Sequence, residues 1–339
     1  MTKTSFNFLL LIFVFFLTSV SVGFRADFVG SDTLLYTEIY NSQFSPTESL
    51  VKFEYLYNFL SVSLAFLGLN VHVFFTLLSL LSFVALVVFS LLLSNRFFLR
   101  NVSSAYLCAL MGLFLFLSPV FLNAQTNVIR QGVSLFYLYI FFISILCQLN
   151  WGWSVFFAAI SVGFHYTSAI YIALFFLLFI SYRLLFYFST LSFILYVSGF
   201  SEKVLMFVSG YAPIDLYGKV MDYGMPSNYL AGVRVDFAAF TFVIGCCFSL
   251  AIALLFRLET RRQLFSLFKV YWILVLPFFY LGFGAFSDRY LLGAWLFVSI
   301  MAGVLCTQVR FIKVPFEAFF LFFGIFALFF ISPIHGLFS

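Results

Sequence analysis

Apolar stretches about twenty residues long recur along the chain between short polar segments, and this spacing restricts the fold more than any other feature. A bilayer core about 30 Å thick is crossed by roughly 20 helical residues, because each advances about 1.5 Å. Within that layer every backbone N–H and C=O must find its partner inside the protein, which leaves helices and closed barrels as spanning structures. The runs do not alternate in the ten-residue pattern of a barrel strand, so they predict helices. Composition closes the soluble alternative. Of 339 residues, 64% are hydrophobic and 9% charged, whereas soluble domains run near 25% charged. The sequence therefore predicts an all-α polytopic membrane protein, one membrane domain over residues 1–339.

Basic residues concentrate on the cytoplasmic side of membrane proteins. They cluster here at Arg96 and Arg100, at Arg183, at Arg257, Arg261 and Arg262, and at Arg310 and Lys313. With Lys3 and Lys269, that side holds ten of the 17 basic residues against Glu259 and Glu317. The opposite side then receives seven basic and ten acidic residues, which sets the N-terminus inside. Consistent spans fall at about 5–24, 70–94, 103–122, 131–149, 152–164, 166–182, 184–200, 237–256, 264–286, 290–307 and 316–334. That makes about eleven transmembrane helices. The piece 152–164 is too short to span unaided, so 152–200 is expected to contain a broken or re-entrant helix, tolerated where protein or a cavity surrounds it. Residues 55–69 read as a partly embedded helix. The first run resembles a signal peptide, but its apolar core exceeds the usual 7–15 residues and it is expected to stay as a span.

Cys108, Cys147, Cys246, Cys247 and Cys306 lie inside apolar runs without CxxC spacing and read as packing residues. His72, His165 and His335 stand far apart and form no HExxH pattern. Neither a metal site nor another cofactor is expected, and no nucleic-acid partner. The 56 Phe and 19 Tyr are read as lipid-facing and interfacial side chains.

The outer segments 25–54, 123–131, 201–236 and 287–289 differ in length and content, so no internal repeat of the kind found in secondary transporters is visible. They carry the unusual charges. In "NVIRQGVSLFYLYIFF", Arg130 stands before a run suited to lipid, where the positive-inside rule gives an arginine no task. His165 is placed on the same face, with Arg25, Asp32, Tyr36, Glu54, Arg234, Asp236 and Arg289. Asp32 and Tyr36, four apart, share a face if their segment is helical. Arg234 and Asp236 are two apart and point in different directions on a helix, which argues against a local ion pair.

These residues form a succession: Gly30, Asp32 and Tyr36 as G-x-D-x-x-x-Y; Glu54 and Tyr57 as E-x-x-Y; Arg130 and Gln131 as R-Q; His165, Ser168 and Ala169 as H-x-x-S-A; Arg234, Asp236 and Phe237 as R-x-D-F; Arg289 and Tyr290 as R-Y. In this order, across almost the whole chain, they resemble the EpsG-like branch of Wzy-type oligosaccharide repeat-unit polymerases. The resemblance implies a GT-C-like helical fold in the bacterial inner membrane, with the active site on the periplasmic or outer side. It implies transfer of a glycan from a polyprenyl diphosphate, such as undecaprenyl diphosphate, to a lipid-linked repeat unit in O-antigen, capsule or exopolysaccharide synthesis. Expected partners are the lipid-linked oligosaccharide, membrane lipid, a chain-length regulator and a flippase.

For that chemistry Arg130, His165 and Asp32 are the expected catalytic residues. Arg25, Tyr36, Glu54, Gln131, Arg234, Asp236 and Arg289 are the expected substrate contacts. A planar guanidinium offers paired donors to a diphosphate leaving group, and an imidazole can accept a proton from a sugar hydroxyl. His165 and Asp32 compete for the role of base. A lipid-linked oligosaccharide flippase or transporter, or an O-antigen ligase, is the alternative. A ligase usually carries a larger outer loop than the roughly 36-residue segment here.

Overall fold

A computed structural model describes residues 3–42, 53–97, 102–211, 215–222, 231–284 and 286–309. The expected span at 316–334, with Arg310 and Lys313, lies outside the described residues. Among these residues the regular structure is helical throughout, with fifteen α-helices. In chain order they are α1 (Lys3–Gly23), α2 (Thr33–Ser42), α3 (Tyr55–Phe66), α4 (Val71–Leu92), α5 (Ser104–Phe116), α6 (Pro119–Thr126), α7 (Ile129–Leu146) and α8 (Trp151–Phe164). They continue with α9 (Ser168–Ala173), α10 (Tyr182–Val197), α11 (Phe200–Tyr211), α12 (Leu216–Asp222), α13 (Val235–Leu255), α14 (Leu258–Leu281) and α15 (Leu292–Gln308).

Polar residues between the apolar runs set several helix starts. The side chains of Asn70, Ser103 and Ser181 accept from the N–H of Val73 (3.1 Å), Tyr106 (3.1 Å) and Leu184 (3.3 Å), satisfying donors that a first helical turn leaves open. Four helices, Val71–Phe97, Ile129–Leu146, Val235–Leu255 and Leu258–Leu281, are long and apolar enough to cross a membrane. Counting each of two sharply bent pairs as one span gives up to six. The protein is thus an all-α polytopic membrane protein.

One bend falls inside an expected straight span, the other at the expected end of 184–200. At 103–122 the chain turns by 86° between α5 and α6. Pro119 opens α6, and a proline both lacks an N–H and disfavours helix at the residue before it. Between α10 and α11 the turn is 82°, passing through Gly199 at φ +71°, a conformation glycine adopts without steric cost. The run 152–200 is broken, as its short first piece implied: α8, α9, a 3-10 turn at Phe175–Phe179 and α10 follow one another.

The chain divides into two compact units, residues 1–169 with 299–339 and residues 170–298. The first is built around α7, whose side chains from Gln131 to Ser144 are all buried. Helix α8 runs back along it, held by hydroxyls: Ser134 donates to the Ser161 carbonyl (2.7 Å) and Ser161 to the Ser134 carbonyl (2.9 Å), and Ser144 meets Ser154 at 2.7 Å. Small residues and interhelical hydroxyl bonds are the usual means of bringing membrane helices together. Gly132 serves the same end, since a Cβ there would lie 2.4 Å from the Ala124 carbonyl oxygen and force α6 off α7.

In the second unit α10, α13 and α14 pack around Trp272, which is fully buried and donates to the Tyr182 hydroxyl at 3.1 Å. Lys269, buried within α14, donates to the carbonyls of Leu178 and Ile180. These carbonyls lie where the 3-10 turn ends, so an ammonium replaces the backbone donors the break removes.

Candidate functional site

The candidate site stands at the end of the first unit where α1 and α8 finish and α2, α3 and α7 begin. Its floor is fixed by two residues near the start of the segment 25–54. Arg25 is buried, donates to the Val22 carbonyl (2.7 Å) and to the Thr33 hydroxyl (3.2 Å), and lies 4.4 Å from the Phe75 ring centroid. It ties the end of α1 to the start of α2. Gly30 has φ +94°, and a Cβ there would meet Asn127 Oδ1 at 2.7 Å. Only a glycine lets this turn press against the α6–α7 corner, three residues before Arg130.

Glu54 occupies the N-cap position of α3, yet its side chain makes no capping bond. It reaches elsewhere. One carboxylate oxygen accepts from His165 Nδ1 at 2.7 Å, and the other accepts from Arg130 Nη1. His165 ends α8 in an extended conformation, and its carbonyl receives the N–H of Ser168 (3.1 Å). The Ser168 hydroxyl bonds Ser134 on α7. The H-x-x-S pattern thus anchors the α8–α9 corner and fixes the imidazole.

The guanidinium of Arg130 lies over three rings: 4.0 Å from the centroid of Phe53, 5.8 Å from Tyr57 and 6.0 Å from Tyr36. The rings also contact one another, Phe53 with Tyr57 at 5.2 Å and Tyr36 with Phe53 at 5.8 Å. Such faces attract a cation, the more so when water is partly excluded. Burial works against the Arg130 charge, and the neighbouring Tyr36 and Glu54 outweigh it and raise its pKa. Arg130 remains 19% exposed and His165 16%, against 6% for Glu54, so the base of the cluster is dry and its two nitrogenous groups reach the surface. Among the described residues the buried Arg130 Nε finds no acceptor.

Burial alone would raise the pKa of the Glu54 carboxyl. The hydrogen bond from His165 and the charge of Arg130 outweigh it and hold the group down at about 2. Glu54 is therefore ionised and acceptor-only, and Nδ1 of His165 must carry a proton. Nε2 is then the ring nitrogen left for chemistry.

The structure brings together Tyr36, Glu54, Arg130 and His165, with Gln131 buried one residue along α7. Asp32 stands at the start of α2, where its carboxylate accepts from Ser31 (3.1 Å). Phe53, the ring nearest Arg130, escaped the sequence reading; its place beside Glu54 was the available signal. Arg234, Asp236 and Arg289 belong to the second unit. Here one expectation fails. Arg234 and Asp236 do form a local ion pair, Nε to Oδ1 at 3.0 Å and Nη2 to Oδ2 at 2.6 Å. The helical-direction argument misled because Arg234 is not helical: it is the N-cap of α13, with φ −94° and ψ 80°, and its side chain folds back over the first turn. That bidentate bond raises the Arg234 pKa. Arg289 lies 4.2 Å from the Phe286 ring centroid.

Residues 8–338 match the family described as the EpsG family. The chain belongs to the EpsG family. EpsG-like proteins are Wzy-type polymerase-like, and the chain is accordingly a polysaccharide polymerase-like integral membrane protein, glycosyltransferase-like in the general sense. No curated protein and no solved structure matches it.

Proposed function

We propose that the chain is a repeat-unit polymerase of the bacterial inner membrane, with the Arg130–Glu54–His165 cluster facing the outer side. It takes a glycan from a polyprenyl diphosphate and transfers it to a lipid-linked repeat unit. The observation that carries this reading is a single carboxylate holding a guanidinium and an imidazole side by side in a chain of this family. The acceptor hydroxyl oxygen attacks the anomeric carbon of the donor, the bond from that carbon to the diphosphate oxygen breaks, and the hydroxyl proton passes to Nε2 of His165. The diphosphate leaves on its lipid. A guanidinium has five N–H donors. Glu54 takes one, and others are available to the charge that develops on the leaving oxygens. His165 is favoured over Asp32 as the base because it is the one oriented by a carboxylate. Arg234, Asp236 and Arg289 are proposed as further glycan or phosphate contacts.

The test is polymer-ladder formation in cells lacking the native gene, with membrane levels of each variant checked by immunoblot. Arg130→Ala is expected to lose about a hundred- to thousandfold in rate and to accumulate single repeat units on lipid, and Arg130→Lys to be less impaired. His165→Ala is expected to lose about 10²–10⁴-fold, and Asp32→Asn to keep a ladder. Normal ladders from well-expressed Arg130→Ala and His165→Ala would remove the reading. A ladder lost with Asp32→Asn but kept with His165→Ala would move the base to Asp32.

A further inference from the structure

We infer that Glu54 is a positioning residue that sets the tautomer of His165 and stabilises the imidazolium formed when His165 takes the acceptor's proton, rather than a substrate contact. This rests on the polymerase reading of the same site. The first argument is local. An N-cap favours Ser, Thr, Asp or Asn, whose short side chains reach the open N–H groups of the first turn, whereas a glutamate stands at this one and its side chain does not cap. Residues that break a local rule commonly answer to a functional demand, and the bonds Glu54 makes are long-range, 111 residues away to His165 and 76 to Arg130.

The second argument is access. At 6% exposure Glu54 lies beneath the two groups it binds, so substrate reaches Arg130 and His165 before it reaches the carboxylate. The third is charge. Ionised Glu54 balances Arg130 while the imidazole is neutral, and when a proton arrives at Nε2 the same carboxylate lies 2.7 Å from the new cation's Nδ1. The ionisable groups around this pair are Arg130 from α7, Tyr36 from α2, Tyr57 from α3 and, coupled to Tyr57, Arg25. Only Glu54 among them is bonded to the ring.

The full-length protein in membranes, assayed for polymerisation of lipid-linked repeat units across pH, tests this. Glu54→Gln keeps size and shape and removes the charge. It is expected to lose at least about a hundredfold in rate, to leave the KM for lipid-linked glycan within about twofold, and to displace the acid limb of the pH profile, because the charge facing Nδ1 is gone. Glu54→Asp is expected to restore part of the rate and the wild-type acid limb. A uniform loss with an unmoved acid limb in Glu54→Gln, or a Glu54→Asp no better than Glu54→Gln, would overturn the inference. If Glu54→Gln fails to accumulate, the acid limb of Glu54→Asp decides: at the wild-type pH it supports the positioning role, and displaced it overturns it. Failure of the polymerase reading looks different: either the wild type forms no polymer, or Arg130→Ala and His165→Ala remain as active as it, whatever Glu54 does.

Discussion

Each unit holds an arginine bonded to a carboxylate, and the two pairs are built in opposite ways. In the second unit Arg234 and Asp236 are near neighbours in sequence, bidentate, with the Asp236 side chain 59% exposed. In the first, Arg130 and Glu54 are 76 residues apart, with Glu54 6% exposed, and share their bond with His165. A local pair forms wherever a loop meets a helix and needs little else. A distant buried one forms only if the rest of the unit delivers it, so the Gly132 contact, the serine bonds of α7 and α8 and the turn at Gly30 all hold the Arg130–Glu54–His165 cluster in register. This contrast makes the first unit the place to look for chemistry, and it can be broken by experiment.

The largest expected difference is in stability. Removing one member of a buried pair leaves the other without its counter-charge and typically costs about 3–5 kcal/mol, whereas an exposed pair is worth about 0–1 kcal/mol. Arg130→Met is expected to approach the first range, reduced somewhat by the bond His165 still gives Glu54, and Asp236→Asn to stay in the second. Thermal unfolding of the purified variants in one detergent measures both. Equal losses would erase the distinction between the pairs.

The buried pair also carries a pH signature. The Glu54 carboxyl sits at about 2 in the folded protein against an ordinary 4.5, so the folded state favours its ionised form. That stabilisation is fully present above about pH 4.5 and is lost as pH falls through the folded value near 2. Its size is at most about 3 kcal/mol. The stability gap between the wild type and Glu54→Gln is therefore expected to narrow by more than half between pH 7 and pH 3, read from melts at each pH. A gap of constant size would mean that the carboxylate's charge does not stabilise the fold.

The fold class was legible because helix length in a membrane is set by bilayer thickness, and residues such as Asn70, Ser103 and Ser181 punctuate the runs where helices begin. The number of crossings was less so. Pro119 is a single residue inside a long apolar run, and hydrophobicity alone does not register that the chain turns by 86° there. Arg130 could be singled out as a charge with no topological task, and His165 as the histidine of H-x-x-S-A on the same face. Glu54 was expected on their face, but that its carboxylate bonds both of them could not be read, because periodicity reports faces of one helix and says nothing about which helix ends meet. The Arg234–Asp236 pair was not legible because Arg234 lies one residue before its helix starts, where helical spacing does not apply.

The smallest expected effect separates the units through their glycines. Gly30 and Gly232 both lie at positive φ, +94° and +111°, where a side chain meets the backbone and costs about 1–2 kcal/mol. They differ in surroundings. A Cβ on Gly232 would have nothing within 4 Å, while one on Gly30 would meet Asn127 Oδ1 at 2.7 Å, and Thr126 Cβ and Thr33 Oγ1 at 3.0 Å. Gly232→Ala therefore carries the backbone strain alone. Gly30→Ala adds a clash that is relieved by turning the Asn127 side chain away and by a small shift of α2 from the α6–α7 corner, and with α2 goes Tyr36, whose ring centroid lies 6.0 Å from the Arg130 guanidinium. Both variants are expected to lose stability, Gly232→Ala by about 1–2 kcal/mol and Gly30→Ala by somewhat more, read from their melts. Only Gly30→Ala is expected to shorten the polymer ladder at equal membrane level. A Gly232→Ala ladder as short as that of Gly30→Ala would place the second unit's turn in the reaction on the same footing as the first.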